Sequence, residues 1–235
     1  MPFLNIPVPM VPNGNRRNIL IGFDGNHDLR VPVEAGDVDF LIISAELGFT
    51  PLVANQEFIS ESLGIEGETI LRVADAIQTD QRNASMVLME SRNPASPLRG
   101  VILVSSENSE YYQRHLKEDR NPRRQKEFYF SLTLESIVLA RNNQKPRKIG
   151  MTHISAGGVV PAEILAPSIE AYIQLKIESN RNMGCFSFVG CCIEQDQIEE
   201  AARMIDLDDL GLHRPRAHFA EDEIFGFRRI NARIL

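Results

Sequence analysis

Gly157 and Gly158 lie between an apolar segment and a segment with a helical pattern, and a connection of this kind can bind a phosphate group. Residues 148–154 are predicted to form a strand that runs into Ser155-Ala156-Gly157-Gly158, and a predicted helix begins at Pro161. Backbone amides in a strand-turn-helix segment can approach a phosphate closely, because glycine has no Cβ and accepts positive φ angles. The alternative is a tight turn without a ligand, which is the commoner role of an isolated Gly-Gly pair.

A second polar group, Gly25-Asn26-His27-Asp28, follows the apolar run 18–23 and Asp24. It resembles the Gly-Asn-His-Asp turn of metallophosphoesterases, where the asparagine binds a metal bridge and the histidine faces the phosphate. This resemblance implies a metal-dependent phosphoesterase that uses Asp24, Asn26, His27 and His153 to hold two metal ions about 4 Å apart. That family's Asp-x-His, Gly-Asp-x-x-Asp and Gly-His-x-His motifs do not occur here. We therefore favour a surface turn built by glycine and asparagine, without metal.

The cysteines do not point to a site. Cys185, Cys191 and Cys192 are odd in number and close together, which does not suit a framework of disulfides. No Cys-x-x-Cys pair and no nearby histidine completes a zinc site. We expect buried free thiols in a reducing compartment, which favours the cytoplasm.

The elements that position these residues alternate along the chain. Apolar runs predict strands at 18–23, 39–44, 85–89, 100–104, 148–154 and 185–191, and amphipathic segments predict helices at 57–63, 68–77, 123–141, 161–179 and 194–205. This alternation predicts an α/β protein, a three-layer α/β/α sandwich with a mixed sheet of about six strands. The runs near Asp39, Lys148 and Cys185 are continuously apolar, so we expect the strand at Lys148 in the centre, between the other two.

The chain divides into one domain and two flanking segments. Residues 1–16 are rich in proline and asparagine without periodicity and are predicted to be an irregular arm. Residues 17–210 are predicted to form a single domain. Residues 211–235 mix arginine, histidine and phenylalanine without a period, and we expect this tail either to pack back on the domain or to contact another subunit in a homo-oligomer.

The order of elements over residues 34–205 resembles the macro domain, an α/β/α module that binds ADP-ribose. Gly36-Asp37-Val38 is similar to the family's Gly-Asp-Ile motif, and residues 149–155 followed by Ala156-Gly157-Gly158 are similar to its strand and diphosphate loop. The resemblance implies that Asp37, with Val38, meets the adenine amine. It also implies that Ser155, Ala156, Gly157 and Gly158 contact the diphosphate.

The chain departs from that family at its catalytic positions. Ile43-Ser44-Ala45-Glu46 stands in place of Asn-Ala-Ala-Asn, and Cys191 and Cys192 stand near the place of the aromatic that stacks on adenine. The resemblance therefore implies a binding module for a nucleotide-type ligand such as ADP-ribose, without implying catalysis. A metal-dependent phosphoesterase and a non-catalytic oligomeric or scaffold subunit are the alternatives. We expect no cofactor.

Composition excludes some classes of function. The chain has 235 residues, a net charge of −7 and a pI near 5.3, so it lacks the basic footprint of a general nucleic-acid binder. No apolar run approaches the roughly 20 residues that span a bilayer. The first residues lack the basic and apolar regions of a signal peptide, in agreement with a cytoplasmic protein that contacts no membrane.

Overall fold

The structure, a computed structural model, describes residues 1–9, 16–46, 50–79, 85–118, 121–154, 161–179, 186–205 and 229–231. Its strands are β1 Phe3–Pro9, β2 Arg16–Asp24, β3 Phe40–Ser44, β4 Met86–Glu90, β5 Gly100–Val104, β6 Lys148–Met151, β7 Ser187–Cys191 and β8 Arg229–Asn231. Its helices are α1 Arg30–Glu34, α2 Thr50–Ala54, α3 Gln56–Leu63, α4 Gly67–Gln78, α5 Glu110–His115, α6 Pro122–Gln144, α7 Pro161–Ser179 and α8 Gln195–Met204.

The strands form one mixed sheet in the order β1-β2-β7-β6-β3-β5-β4-β8. The five inner strands run parallel to one another, in the order β2, β7, β6, β3 and β5. Strand β1 pairs antiparallel with β2, and β4 pairs antiparallel with β5. The predicted α/β class and mixed sheet are confirmed, and β6 lies between β7 and β3 as expected. The described residues contain eight strands, so the prediction of about six is low.

Two helical layers enclose the sheet, because successive residues of each strand point to opposite faces. In β3, Phe40 and Ile42 pack with α6, α7 and α8 in one apolar cluster. Leu41 and Ile43 pack with α1 to α4 in the other. All four side chains are fully buried, so the three-layer sandwich follows from the continuous apolar run that the sequence shows.

The prediction of an irregular arm over residues 1–16 is wrong for Phe3–Pro9. These residues form β1 and pair antiparallel with β2, with Ile6 opposite Ile19. Ile6 and Val8 are buried, whereas Phe3, Asn5 and Pro7 are exposed. Proline is tolerated on an edge strand, where its missing N–H removes no hydrogen bond of the sheet. The prolines of this segment therefore do not prevent it from forming a strand.

Part of the predicted tail packs back on the domain. Residues Arg229–Asn231 pair in parallel with β4 as β8, within the same chain. The rest of 211–235 lies outside the described residues, and contact with another subunit stays a prediction. In the described part of the chain, no helix has the length and low charge needed to cross a bilayer.

Candidate functional site

The strands β3 and β6 mark the place where the direction of chain progression across the sheet reverses. From β3 the chain continues through α2, α3, α4 and β4 to β5, and from β6 it continues through α7 to β7 on the opposite side. The two connections also cover opposite faces of the sheet. In open α/β sheets, ligands bind in the crevice outside the carboxyl ends of the strands at such a switch point. The carboxyl ends of β3 and β6 are therefore the candidate site.

Two hydroxyl side chains occupy these strand ends. Ser44 and Thr152 are both buried, and the amide of Ser44 donates to Oγ1 of Thr152 at 3.4 Å. The amide of Thr152 donates to the carbonyl of Ile42 at 3.0 Å, and the amide of Glu46 donates to Oγ of Ser44 at 3.4 Å. Short polar side chains thus take over the hydrogen bonds where the ladder ends and the chain leaves toward residues 47–49 and 155–160. Both of those segments lie outside the described residues.

The predicted phosphate-binding residues Ser155, Ala156, Gly157 and Gly158 are among those outside the described residues. The last described residue before them, Ile154, is buried in the cluster with α6 to α8. The described chain therefore ends three residues beyond the carboxyl end of β6, the strand at the switch point. The diphosphate contacts themselves stay a prediction.

Asp37 and Val38 lie at the other edge of the sheet. They come just before the amino end of β3, and their amides donate to the carbonyl of Pro32 at 2.8 and 3.1 Å. Nearby, Lys148 at the amino end of β6 donates from Nζ to the carbonyl of Gly36. Strand β6 runs from Lys148 to Met151, which is about 10 Å at 3.3 Å per residue, and carries the chain from this edge to the carboxyl edge. The structure places Asp37 and Val38 at the amino edge of the sheet, and because the glycine segment lies outside the described residues, a site shared by the two stays a prediction.

The Gly36-Asp37-Val38 motif has a local explanation. Gly36 adopts a φ of 71°, in the left-handed region that favours glycine. Its amide donates to the carbonyl of Val33 at 3.0 Å and so ends α1. Val38 is buried between the helices and the sheet. The glycine stops a helix, and the apolar residue begins the packing of the next strand.

The Gly25-Asn26-His27-Asp28 turn is built by a series of side chains that hold the backbone two residues ahead. Oδ1 of Asp24 accepts the amide of Asn26 at 2.9 Å, and Oδ1 of Asn26 accepts the amide of Asp28 at 3.0 Å. Oδ1 of Asp28 then accepts the amide of Arg30 at 3.0 Å and leads into α1. This is the turn chemistry that Asn and Asp favour.

One residue that the sequence did not single out fixes this turn. Asn55 is buried, and its Oδ1 accepts the amide of Leu29 at 2.8 Å. Its Nδ2 donates to the carbonyls of His27 at 2.7 Å and Pro51 at 2.8 Å. An asparagine between two short helices carries no sequence signal for this role, because its partners lie up to 28 residues away.

A surface cavity of about 440 Å³ lies between the turn and the start of α3. Asn26, His27 and Asp28 line one side of it, and Asn55, Glu57 and Phe58 line another. Arg30 also lines the cavity, and its guanidinium carbon lies 5.5 Å from the centre of the Phe58 ring. The cavity is at the carboxyl edge of the sheet, the same edge as the switch point.

His153 follows β6 and lies beside α8. Burial lowers its pKa from the usual 6.5, and a hydrogen bond with Gln197 opposes that shift. Gln197 also accepts the amide of Glu194 with its Oε1 at 3.0 Å, as half of a capping box at the start of α8. The histidine is therefore held neutral near pH 7 by its surroundings.

The thiols at the end of β7 are protonated. Burial raises the pKa of Cys192 to about 12 and that of Cys191 well above its usual value, and the charge of Asp24 adds to both shifts. Both thiols are free and buried, as expected, whereas Cys185 lies outside the described residues. A nucleophilic cysteine needs a stabilised thiolate, so neither group suits that role.

The residues of the metal alternative are only partly brought together. Asp24, Asn26 and His27 share one turn, but His153 lies two strands away, about 10 Å by the strand spacing. Among the described residues, no group of three or more His, Cys, Asp or Glu side chains lies close enough to hold a metal ion.

Comparison with known proteins supports the fold. No protein-family model matches the sequence, and no curated protein matches it. Among solved structures, a mutant macrodomain of Oceanobacillus iheyensis is similar, with 13% sequence identity and a TM-score of 0.50. The match covers 86% of this chain and 95% of that one. The chain therefore has a macrodomain-like α/β/α fold.

Proposed function

We propose that the protein binds a nucleotide-type ligand such as ADP-ribose in the crevice at the carboxyl ends of β3 and β6. The observation that carries the proposal is the reversal of chain progression between these two strands in a macrodomain-like sheet. Two glycines, Gly157 and Gly158, stand in the segment of sequence between β6 and α7. A reversal of this kind forms a crevice, because the connections that follow the two strands lead away from each other toward opposite sides of the sheet.

The diphosphate belongs at the glycine segment in this proposal. Ser155-Ala156-Gly157-Gly158 connects β6 to α7, and α7 is a helix of 19 residues that begins at Pro161. Amides near the start of such a helix carry a partial positive charge, which favours an anionic group. Glycines at 157 and 158 would leave room for backbone contact with the two phosphates.

The position of Asp37 does not suit the same ligand. It comes just before the amino end of β3, and β6, which is about 10 Å long, separates that edge of the sheet from the carboxyl edge. A base bound near Asp37 would lie at the opposite edge of the sheet from the crevice in which the proposal places the phosphates. In this proposal the whole ligand therefore lies along the carboxyl edge.

Binding rather than hydrolysis is proposed for this crevice. The end of β3 offers Ser44, Ala45 and Glu46, so no side-chain amide is available there to orient a ribose or a water. Ser44 is buried and engaged with the backbone of Glu46. These groups end the strand and add little that could activate a nucleophile.

Calorimetry with matched charge variants tests the proposal. We expect the unmutated protein to bind ADP-ribose, and Gly157→Glu to abolish binding because the new side chain fills the phosphate position and repels it. Ala35→Glu adds the same charge at an exposed place on the amino edge and should leave the affinity unchanged. Absence of binding at millimolar ADP-ribose, or equal affinity in Gly157→Glu, would contradict the proposal.

A further inference from the structure

Strands β1 and β2 form an antiparallel ribbon at one end of the sheet, and the two faces of this ribbon have different surroundings. Helix α8 packs against one face, where Ile6 and Ile19 lie in the same apolar cluster as Ile198. No residue of β1 or β2 belongs to the described apolar cluster with α1 to α4. In the described part of the chain, the second face of the ribbon is therefore open to solvent.

The open face of the ribbon carries large apolar side chains. Residues that pair across an antiparallel ladder point to the same side, so Phe3 and Asn5 share this face with Gly22 and Leu20. Phe3 is 59% exposed and Leu20 is 55% exposed. A Cβ at Gly22 would lie 2.7 Å from Cε of Met1, so the Met1 side chain covers that glycine and extends the apolar surface. The solvent face of an antiparallel sheet is usually polar, and exposed apolar surface of this kind marks a contact with a partner.

The charges of the ribbon indicate which partner suits this face. No Asp, Glu, Lys or Arg occurs in residues 1–9 or 18–22, although the chain has a net charge of −7. A second copy brings identical charges, so an uncharged apolar face allows it to approach without repulsion. The charged residues of β2 stand at its ends, with Arg16 and Arg17 at the amino end and Asp24 at the carboxyl end. These ends attract each other when the β2 strands of two copies run antiparallel.

The outer edge of β1 is less suited to the contact than the open face. The amide of Phe23 donates to the carbonyl of Pro2 at 3.2 Å, so the even residues of β1 form the hydrogen-bonded pairs with β2. The amides of the odd residues therefore point away from β2, and Pro7 and Pro9 have no amide hydrogen to donate. Prolines on an edge strand oppose pairing with a further strand.

We propose that the open face of the ribbon packs against the same face of a second copy of the chain, with the two β2 strands antiparallel, in a two-fold dimer. The seven residues of β1 span about 24 Å at 3.4 Å per residue, and the two strands are about 10 Å wide. A face of this size is at the low end of the range for specific interfaces, so the dimer forms only at high protein concentration. Dimerisation through this face does not require the proposed ligand.

Sedimentation velocity at increasing protein concentration tests the proposal. We expect a monomer at low micromolar concentration and a growing fraction of dimer toward millimolar concentration. Phe3→Ser and Leu20→Ser should each raise the dissociation constant by about tenfold or more, because each substitution removes two apolar side chains from a two-fold interface. Val53→Ser is the matched control, because Val53 is 49% exposed on α2, which packs on β3, and this variant should leave the dissociation constant unchanged.

Arg16→Glu tests the relative direction of the two strands. We expect this variant to weaken the dimer, because acidic groups then meet in the antiparallel arrangement. Equal or stronger association of Arg16→Glu would contradict that arrangement. A monomer at every concentration up to millimolar overturns the proposal, and so does a dimer whose dissociation constant is unchanged in both Phe3→Ser and Leu20→Ser.

Discussion

At the level of single residues, His153 is a titratable group whose protonation the fold opposes. Its ring is partly buried at the end of β6, and its Nδ1 is buried without a hydrogen-bond partner among the described residues. Gln197, on the opposite side, is held by the capping box of α8. Because a charged imidazole loses hydration in this place, burial lowers the pKa of His153.

This pKa shift predicts a dependence of stability on pH. Below the usual pKa of 6.5 the unfolded chain binds a proton at His153 that the folded chain resists, so the free energy of unfolding falls as the pH falls. The contribution is complete above pH 6.5 and is lost progressively in more acidic solution. We expect His153→Gln to lose less stability than the unmutated protein between pH 7.5 and pH 5.5, as measured by urea denaturation at each pH. An equal loss in both proteins would show that the histidine does not titrate in this way.

At the level of elements, the carboxyl edge depends on contacts between segments that are distant in sequence. Asn55, between α2 and α3, holds the turn that connects β2 to α1. Its side chain accepts a hydrogen bond from the amide of Leu29 and donates one to the carbonyl of His27, so these backbone groups have partners. The position of Arg30 over Phe58 depends on the same arrangement, because Arg30 begins α1 directly after the turn and Phe58 lies in the first turn of α3.

Replacement of Asn55 is expected to destabilise the fold. Asn55→Ala leaves the amide of Leu29 and the carbonyl of His27 without these partners, whereas the carbonyl of Pro51 keeps the backbone amide of residue 55, and the expected loss is about 2–3 kcal/mol. Asn93→Ala is the matched control, because Asn93 makes a similar turn bond to Ala95 at an exposed position. Thermal or urea denaturation measures both. A loss below about 1 kcal/mol for Asn55→Ala would show that the clamp is not needed.

Local patterns predicted most elements correctly because the signals that form them are local. The predicted strand at 100–104 and helix at 161–179 coincide with β5 and α7. A continuous apolar run suffices to define a strand that is buried on both faces. The predicted helix at 57–63 corresponds to α3, which Gly64 ends in the left-handed conformation, with a φ of 65°.

The same local patterns could not predict which strands pair or in which direction each strand runs. Strand β1 exists because β2 offers it an edge, which no local feature of a proline-rich segment shows. The assignment of Asp37 to the ligand rests on a motif alone and stays a prediction, whereas the edge on which a residue lies depends on the order and direction of all strands. Arg30, Asn55 and Phe58 meet only through the packing of α1 and α3, so the sequence held no signal for their cavity.

At the level of the whole molecule, the sheet separates two edges with different roles. The amino edge holds Asp39, whose carboxylate accepts the amides of Arg147 and Lys148 and lies 3.4 Å from Nε of Arg99. These contacts connect β3, β5 and β6 where they begin. The carboxyl edge holds the switch point and the cavity. A net charge of −7 over the whole chain makes specific contacts, rather than general attraction, the expected source of affinity for an anionic ligand.

Amide resonances followed by NMR during a titration with ADP-ribose test the central claim most directly. The account predicts shifts at residues 26–30, 44–46 and 152–154, on the carboxyl edge, and unchanged resonances at residues 36–39 on the amino edge. The two sets serve as probe and internal control in one sample, so a general effect of the ligand on the protein is recognised at once. Shifts confined to residues 36–39, or an absence of shifts at millimolar ADP-ribose, would contradict it.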